Sequence, residues 1–386
     1  MKIYYFSGTK IPSQNPQSVH AMKMAQAFSK AGHEVTLFAK NSLNARTEDV
    51  FQIYDIDFPF QMNLSSRAGF PVISSARRLI SARKNTYRGP TPDLIFGHDP
   101  LALLMNAKAA HSIIFEIHNI PTQPVMKLAI SKLLAQNNLR GIVAVSDILK
   151  QDLLRAYPEI VPEHVFVAHD GADLMDHIKS NTQKLDTLKG RKESFNVGYA
   201  GSLHPGKGLA LISRLAKIRP EYDFHVLGGT KKQVQQFQIN NRLRNIHMYG
   251  HRDHAEVPSY LKSFDVCIAP YQHRALIKTG RNTSRWISPM KIFEYMAAER
   301  PIICSNLPVI HEILKDDYSA FLPPASDEEK WAEILDVLHD NPHVRARIAA
   351  NAHQTLIEKY TWDKRVEAIM TFCIYGKKTL HYADAS

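Results

Sequence analysis

Phe195-Asn-Val-Gly-Tyr-Ala-Gly-Ser-Leu-His-Pro-Gly-Lys-Gly208 is the stretch on which the reading of the whole chain turns. Phe195–Ala200 is a buried-strand run, Gly201 to Gly208 is dense in glycine, and an apolar helical period follows from Gly206 to Ile218. A strand feeding a glycine loop and then a helix is the opening of a βαβ unit. The chain begins the same way. Lys2–Gly8 is an apolar run ending in glycine, Val19–Ala31 carries a helical period, and Gly32–Phe38 is the next strand. Two such openings predict two α/β domains.

Outward from them the alternation continues. Asp93–Gly97, Ser112–Ile117, Gly141–Val145 and His164–Val167 are short apolar runs at helix-length or loop-length intervals, which predicts a mostly parallel sheet. Between Asp173 and Ser194 large apolar side chains give way to Lys, Ser, Asp, Asn and Thr, the composition of a linker. Beyond it Tyr222–Leu227, Ile246–Tyr249, Asp265–Ala269 and Pro301–Cys304 are strands, with a helix from about Ser288 to Glu299. From Asp327 the pattern is nearly all helical, through Trp331 and Leu335, then Val344–Tyr360, then Trp362–Tyr375. The expectation is an α/β chain of two Rossmann-like domains, residues 1–185 and 186–358, facing each other across a cleft, with a terminal helix at about 360–380 packed back on the first. Open parallel sheets bind ligands at the carboxyl ends of their strands, so function is sought in that cleft.

Composition narrows the class. The chain has 386 residues, 44% of them hydrophobic, enough for sizeable cores and against intrinsic disorder. Lys and Arg number 48 against 37 Asp and Glu, a formal charge of +11 that favours anionic partners. Cys267, Cys304 and Cys373 are too few and too scattered for a disulfide framework or a cysteine-rich metal centre, which fits a cytoplasmic protein. Met1–Gly8 lacks the pattern of a secretory leader, and no window reads as a spanning helix. Ser74–Arg88, with Arg77, Arg78, Arg83, Lys84 and Arg88, and Val125–Leu134, with Lys127 and Lys132, suit either the acidic inner face of a plasma membrane or plain solvent. Nucleic acid is the poorer partner, because no RNP-like run, GxxG clamp or basic stripe with interleaved aromatics stands out.

Three groups of residues carry chemistry. In the Gly201–Gly208 loop, glycines let backbone N–H groups approach an anion, a helix N-terminus adds partial positive charge, and Lys207 can meet a phosphate oxygen. A tight loop with a solvated lysine gives the same letters. In Ser288-Pro-Met-Lys-Ile-Phe-Glu-Tyr-Met-Ala-Ala-Glu299, Ser288 is placed to cap, Pro289 to open the helix, and Glu294 stands beside an apolar face of Ile292, Phe293, Met296 and Ala297. The two hydroxyls of a ribose would satisfy that carboxylate, and so would a salt bridge at the helix rim. Finally His98, His118 and His169 follow strands of the first domain and His20 starts its first helix, positions that suit hydrogen bonds to sugar or phosphate. No HExxH or ligand spacing among them forces a metal.

Taken together these motifs resemble the retaining GT-B glycosyltransferases of group 1, the family of sucrose synthases and bacterial phosphatidylinositol mannosyltransferases. The resemblance runs over nearly the whole chain: Ala-Gly-His-Glu-Val-Thr36, His98-Asp-Pro, His118, Gly171-Ala-Asp173, the Gly201–Gly208 loop, Ser288-Pro-x-Lys-x-Phe-Glu-Tyr-Met-Ala-Ala, Arg300-Pro-Ile-Ile-Cys-Ser305 and Trp362-Asp-Lys-Arg365. It implies that Lys207, with Gly201 and Ser202, contacts a donor diphosphate that Gly8 approaches. It also implies that Glu294 holds the ribose, with Met290 and with Leu307 and the start of its helix completing the base and ribose pocket, and that His118 stands beside the donor sugar. Two positions depart from the family pattern. Ser202 replaces a loop arginine, and Trp286 replaces the first glutamate of a pair. Arg281, Arg285 and Lys291 are near enough in sequence to restore charge, and Arg285 and Lys291 join the histidines as sugar or acceptor contacts.

The activity so implied moves a sugar from a nucleotide-diphospho-sugar to a saccharide, lipid-linked or small-molecule acceptor, with retention and without cofactor or metal. A nucleotide-sugar 2-epimerase is the alternative on the same architecture.

Overall fold

The computed structural model describes residues 1–42, 47–65, 91–175, 185, 188–273, 284–286 and 288–375. The basic segment Ser74–Arg88 and the position of Arg281 lie outside them. The chain divides into two compact units at His169/Asp170 and again at Thr361/Trp362, so that the segment from Trp362 belongs with the first unit.

In the first unit β1 (Lys2–Ile11), β2 (Glu34–Asn41), β3 (Gln61–Ser65), β4 (Leu94–Gly97), β5 (Ser112–Ile117), β6 (Leu139–Ala144) and β7 (Val165–Val167) form one sheet ordered β3-β2-β1-β4-β5-β6-β7. Every neighbouring pair is parallel. Ile3, Tyr4, Tyr5 and Phe6 are all buried, as a strand covered on both faces requires, which is why β1 reads as a continuous apolar run. The helices are α1 (Pro16–Lys30), α2 (Thr47–Ile53), α3 (Pro100–Asn106), α4 (Pro124–Leu134) and α5 (Asp147–Ala156). Asn15 caps α1 by accepting from the Gln17 amide, with Pro16 in the first turn.

The second unit repeats the plan with five parallel strands, β8 (Asn196–Ala200), β9 (Asp223–Leu227), β10 (Ile246–Gly250), β11 (Val266–Ala269) and β12 (Ile302–Cys304), ordered β10-β9-β8-β11-β12. Its helices are α6 (Leu209–Ile218), α7 (Lys231–Asn240), α8 (Val257–Lys262), α9 (Met290–Ala297), α10 (Glu328–Asp340) and α11 (Pro342–Lys359). Trp331 and Leu335 of α10 pack into the same core as Leu215 of α6 and Phe224 of β9. The chain then re-enters the first unit as α12 (Trp362–Met370), which lies along α1, and ends its described course in a π-helical turn, Thr371–Tyr375. Both sheets reverse strand order beside their first strand, β1 against β4 and β8 against β11, the places where open α/β sheets take ligands.

Two local expectations are corrected. α9 starts at Met290 with Pro289 in the capping place, and Ser288 does not cap it: the Ser288 hydroxyl accepts from the Asp170 amide at 2.9 Å. Leu307 is followed by a run of turns instead of a helix, with Ile310 bonded to the Leu307 carbonyl and Ile313 to that of Ile310.

Candidate functional site

In the second unit the glycine loop leaves β8, Tyr271 follows β11, and α9 starts beside them, so all three meet at the carboxyl end of the sheet. The loop is fixed from both sides: the Tyr199 hydroxyl donates to the Ser202 carbonyl at 2.8 Å and the Gln272 amide to the Gly206 carbonyl at 2.9 Å. Gly208 must be glycine. Its φ is +107°, and a Cβ there would run into Pro270. Gly201 is confined too, because a Cβ on it would strike the Lys291 ammonium. Its amide donates to the Leu227 carbonyl at 2.9 Å, so the expectation that this N–H serves a diphosphate is corrected: the sheet has taken it.

Two lysines converge here. Lys207 Nζ lies 5.2 Å from the centre of the Tyr271 ring, and Lys291 Nζ lies 5.1 Å from that ring and 3.8 Å from the Tyr199 ring. Burial pulls Lys207 down to about 8 and holds Lys291 well below the ordinary lysine range, further depressed by Lys207 and opposed by Glu294. Lys291 Nζ is buried with no hydrogen-bond partner among the described residues. Glu294, one helical turn on, has His254 Nδ1 at 3.7 Å, a contact between two half-buried groups. Met290 is half-buried at the start of α9, Leu307 is buried, and Arg285 is exposed on the single turn Ser284–Trp286.

The first unit gathers three of the four expected histidines. His98 follows β4, His118 follows β5, and His20 comes from α1, with ring centres 4.8 Å apart for His20–His118 and 5.2 Å for His98–His118. His98 also meets the Ser7 hydroxyl at 3.3 Å. At the centre is a residue that the sequence reading passed over. Glu116 is fully buried, with His20 Nε2 at 2.9 Å and His118 Nε2 at 3.3 Å from Oε2, and Arg365 of α12 at 2.6 Å from Oε1. Burial would raise this carboxyl, but His20, Arg365 and His118 outweigh it and hold Glu116 well below the ordinary range. His169 stands apart from the trio, its Nδ1 donating to the Val145 carbonyl at 3.0 Å. Gly8 lies inside β1, which continues to Ile11 through a break in register between Phe6 and Lys10, and not in a loop after it.

His20, Glu116 and His118 do present three metal-competent atoms within 4.8 Å of one another. The Arg365 guanidinium pairs with the same carboxylate through Oε1. On the outside of the same unit α4 leaves Val125 and Leu128 64% and 57% exposed. Lys127 and Lys132 are exposed beside them. No helix among the described residues is long and apolar enough to cross a membrane.

Comparison with known proteins places both halves. Residues 194–341 match the family described as glycosyl transferases group 1, and residues 17–175 match glycosyltransferase family 4. A phosphatidyl-myo-inositol mannosyltransferase of Mycolicibacterium smegmatis is 22% identical over 355 residues, 89% of this chain and 86% of that protein. An uncharacterized glycosyltransferase of Methanocaldococcus jannaschii is 24% identical over 179 residues, 45% of this chain and 47% of its own. The chain thus spans less than half the length of several curated relatives it matches. Among solved structures, HepE of Anabaena in complex with UDP superimposes with a TM-score of 0.68 at 16% identity, over 96% of this chain and 100% of that one. Sucrose-phosphate synthase of Thermosynechococcus elongatus does so with a TM-score of 0.71 at 13% identity, over 96% and 97%.

Proposed function

We propose, from the premise that this chain belongs to the group 1 glycosyltransferases and has their GT-B fold, that it transfers a sugar from a nucleotide-diphospho-sugar to an acceptor hydroxyl in glycoconjugate assembly, with retention at the anomeric carbon. The observation that carries the reading is the meeting of Lys207, Lys291 and Glu294 at one end of the second sheet, two lysines and a carboxylate at the loop–helix junction. HepE is solved with UDP and with UDP-glucose, which supports the same donor class here.

The chemistry follows from charge. Breaking the anomeric C–O bond leaves negative charge on the departing diphosphate and cationic character on the sugar. Lys207 answers the first. Glu294 takes the ribose hydroxyls, and no described carboxylate is assigned as a covalent nucleophile. The acceptor therefore attacks on the face the diphosphate leaves, its proton passing to a departing phosphate oxygen. His118 orients donor and acceptor. With lysines neutralising the diphosphate, the reaction requires no divalent ion.

The test is acceptor-dependent release of nucleoside diphosphate from UDP-, GDP- and ADP-sugars, with the anomeric configuration of the product read by NMR. Retained configuration in EDTA is expected. Inversion, a need for Mg²⁺ or Mn²⁺, or release of an isomerised sugar without acceptor would each overturn the corresponding part. Lys207→Met should lower turnover on the order of 100-fold or more, the loss of about 2–4 kcal/mol of transition-state stabilisation.

The exposed Val125 and Leu128, beside the exposed Lys127 and Lys132, support a lipid-linked acceptor met at an acidic membrane surface. Flotation with anionic vesicles, lost on Val125→Asp/Leu128→Asp and absent with neutral vesicles, is the expected result. Equal flotation of the double variant sinks this assignment.

A further inference from the structure

Lys291 is the one feature of the donor end that the sequence motifs leave without a settled task. The residue is half-buried but its Nζ is buried, with no hydrogen-bond acceptor among the described residues, and the tip lies against Gly201 at the root of the glycine loop. The groups facing it come from every surrounding element: Tyr199 from β8, Lys207 from the loop, Tyr271 after β11, Cys304 from β12 and Glu294 from its own helix. Burial pushes the Tyr199 and Tyr271 hydroxyls and the Cys304 thiol upward, so none of the three is an anion near neutrality. Glu294 is the only carboxylate of the set, and it is shared with His254. An unpaired ammonium in such a place costs several kcal/mol, and a buried lysine meets this by giving up its proton.

Lys291 reaches the glycine loop from α9, across from Lys207 on the loop itself and with the Tyr271 ring beside both. We propose that Lys291 is the second cation of the donor diphosphate subsite and that it takes a proton from solvent as the diphosphate enters. The inference rests on the donor reading above and adds its regulation: the neutral amine, one proton and the doubly charged diphosphate combine to an ammonium–diphosphate pair, and departure of the nucleotide returns the proton. Donor affinity is thereby tied to pH. It falls as pH rises, by up to about tenfold per unit while one proton is coupled to binding.

Titration calorimetry near neutrality, in a buffer of small and a buffer of large ionisation enthalpy, measures the coupled proton directly. UDP-glucose, GDP-mannose and ADP-glucose are suitable probes because their diphosphate diesters do not titrate there. For the probe that binds, the expected result is uptake of about one proton. Lys291→Met is expected to abolish that uptake and weaken binding roughly 10- to 100-fold, the range of a hydrogen bond to a charged group. Lys207→Met weakens binding but keeps the uptake. The melting temperature of ligand-free Lys291→Met is expected unchanged or raised, since a buried polar head is gone, whereas a purely structural lysine would lower it. Equal heats in both buffers, or unaltered affinity in Lys291→Met, overturns the proposal and leaves the donor reading standing. Failure of all three probes to bind strikes the donor reading itself, and this inference with it.

Discussion

Glu116 sits in β5 with both oxygens engaged by His20, His118 and Arg365, and its burial makes each of those partners necessary. Truncating one member of a buried ion pair leaves the other uncompensated, so Arg365→Met is expected to lower stability by about 3–5 kcal/mol, with Glu116→Gln/Arg365→Met recovering much of it. Urea unfolding of the two variants measures the difference. The pH dependence has a definite sign. A folded carboxyl held well below its ordinary 4.5 stabilises the fold above that value, and the contribution is lost as pH falls through the depressed one. The advantage of the natural protein over the double variant should therefore shrink on acidification below about pH 4.5. Glu116 carried a legible signal: it is a charge inside the apolar run Ser112–Ile117, two residues before His118 and so on the same side of the strand. Arg365 carried none. The pair spans 249 positions, and nothing local in Trp362-Asp-Lys-Arg365 marks its target.

At the scale of elements, the inner strands announce themselves because both faces are buried, and Ser112–Ile117 has the bounds read from its letters. α7 went unread for the opposite reason. Lys231–Asn240 buries no residue fully, and its apolar stripe is the single pair Val234 and Phe237 packed partly buried on the core, too short to betray a helical period beside its Thr230/Gln233 capping box. β3 was missed likewise, since it lies at the sheet edge with no fully buried side chain. Ser288 has the letters of a cap at the start of α9, but its hydroxyl is taken by the Asp170 amide, 118 positions away. The junction of β8, loop and α6 yields a prediction of its own. Gly208→Ala forces a side chain into a φ of +107° and against Pro270, at about 1–3 kcal/mol of strain, and it displaces Lys207 next to it. Donor-induced thermal stabilisation should disappear in this variant while the ligand-free protein still unfolds cooperatively.

For the molecule as a whole, repetition of the strand–helix grammar made two α/β units legible. The points where the chain changes unit depend on long-range packing and are not written in composition. The first change falls at His169/Asp170, ahead of the polar stretch that begins at Asp173. The second returns the chain at Trp362 to lie beside His20, with ring centres 5.4 Å apart, and brings Arg365 to the His169 and Ala168 carbonyls. A chain ending at Thr361 keeps every strand of both sheets yet lacks the counter-ion of Glu116. It is expected to lose cooperative unfolding of the first unit while the second retains its own, read by hydrogen exchange of β5 and β6 against β8 and β9.

The return of the chain sets an order of events at the ribosome. Asp170–Thr361 is available as a contiguous piece for the second unit before the guanidinium that pairs with Glu116 has been made. The first unit, although its sheet is translated ahead of the second unit, is thus completed only after it, once the turn of chain that carries Arg365 is made.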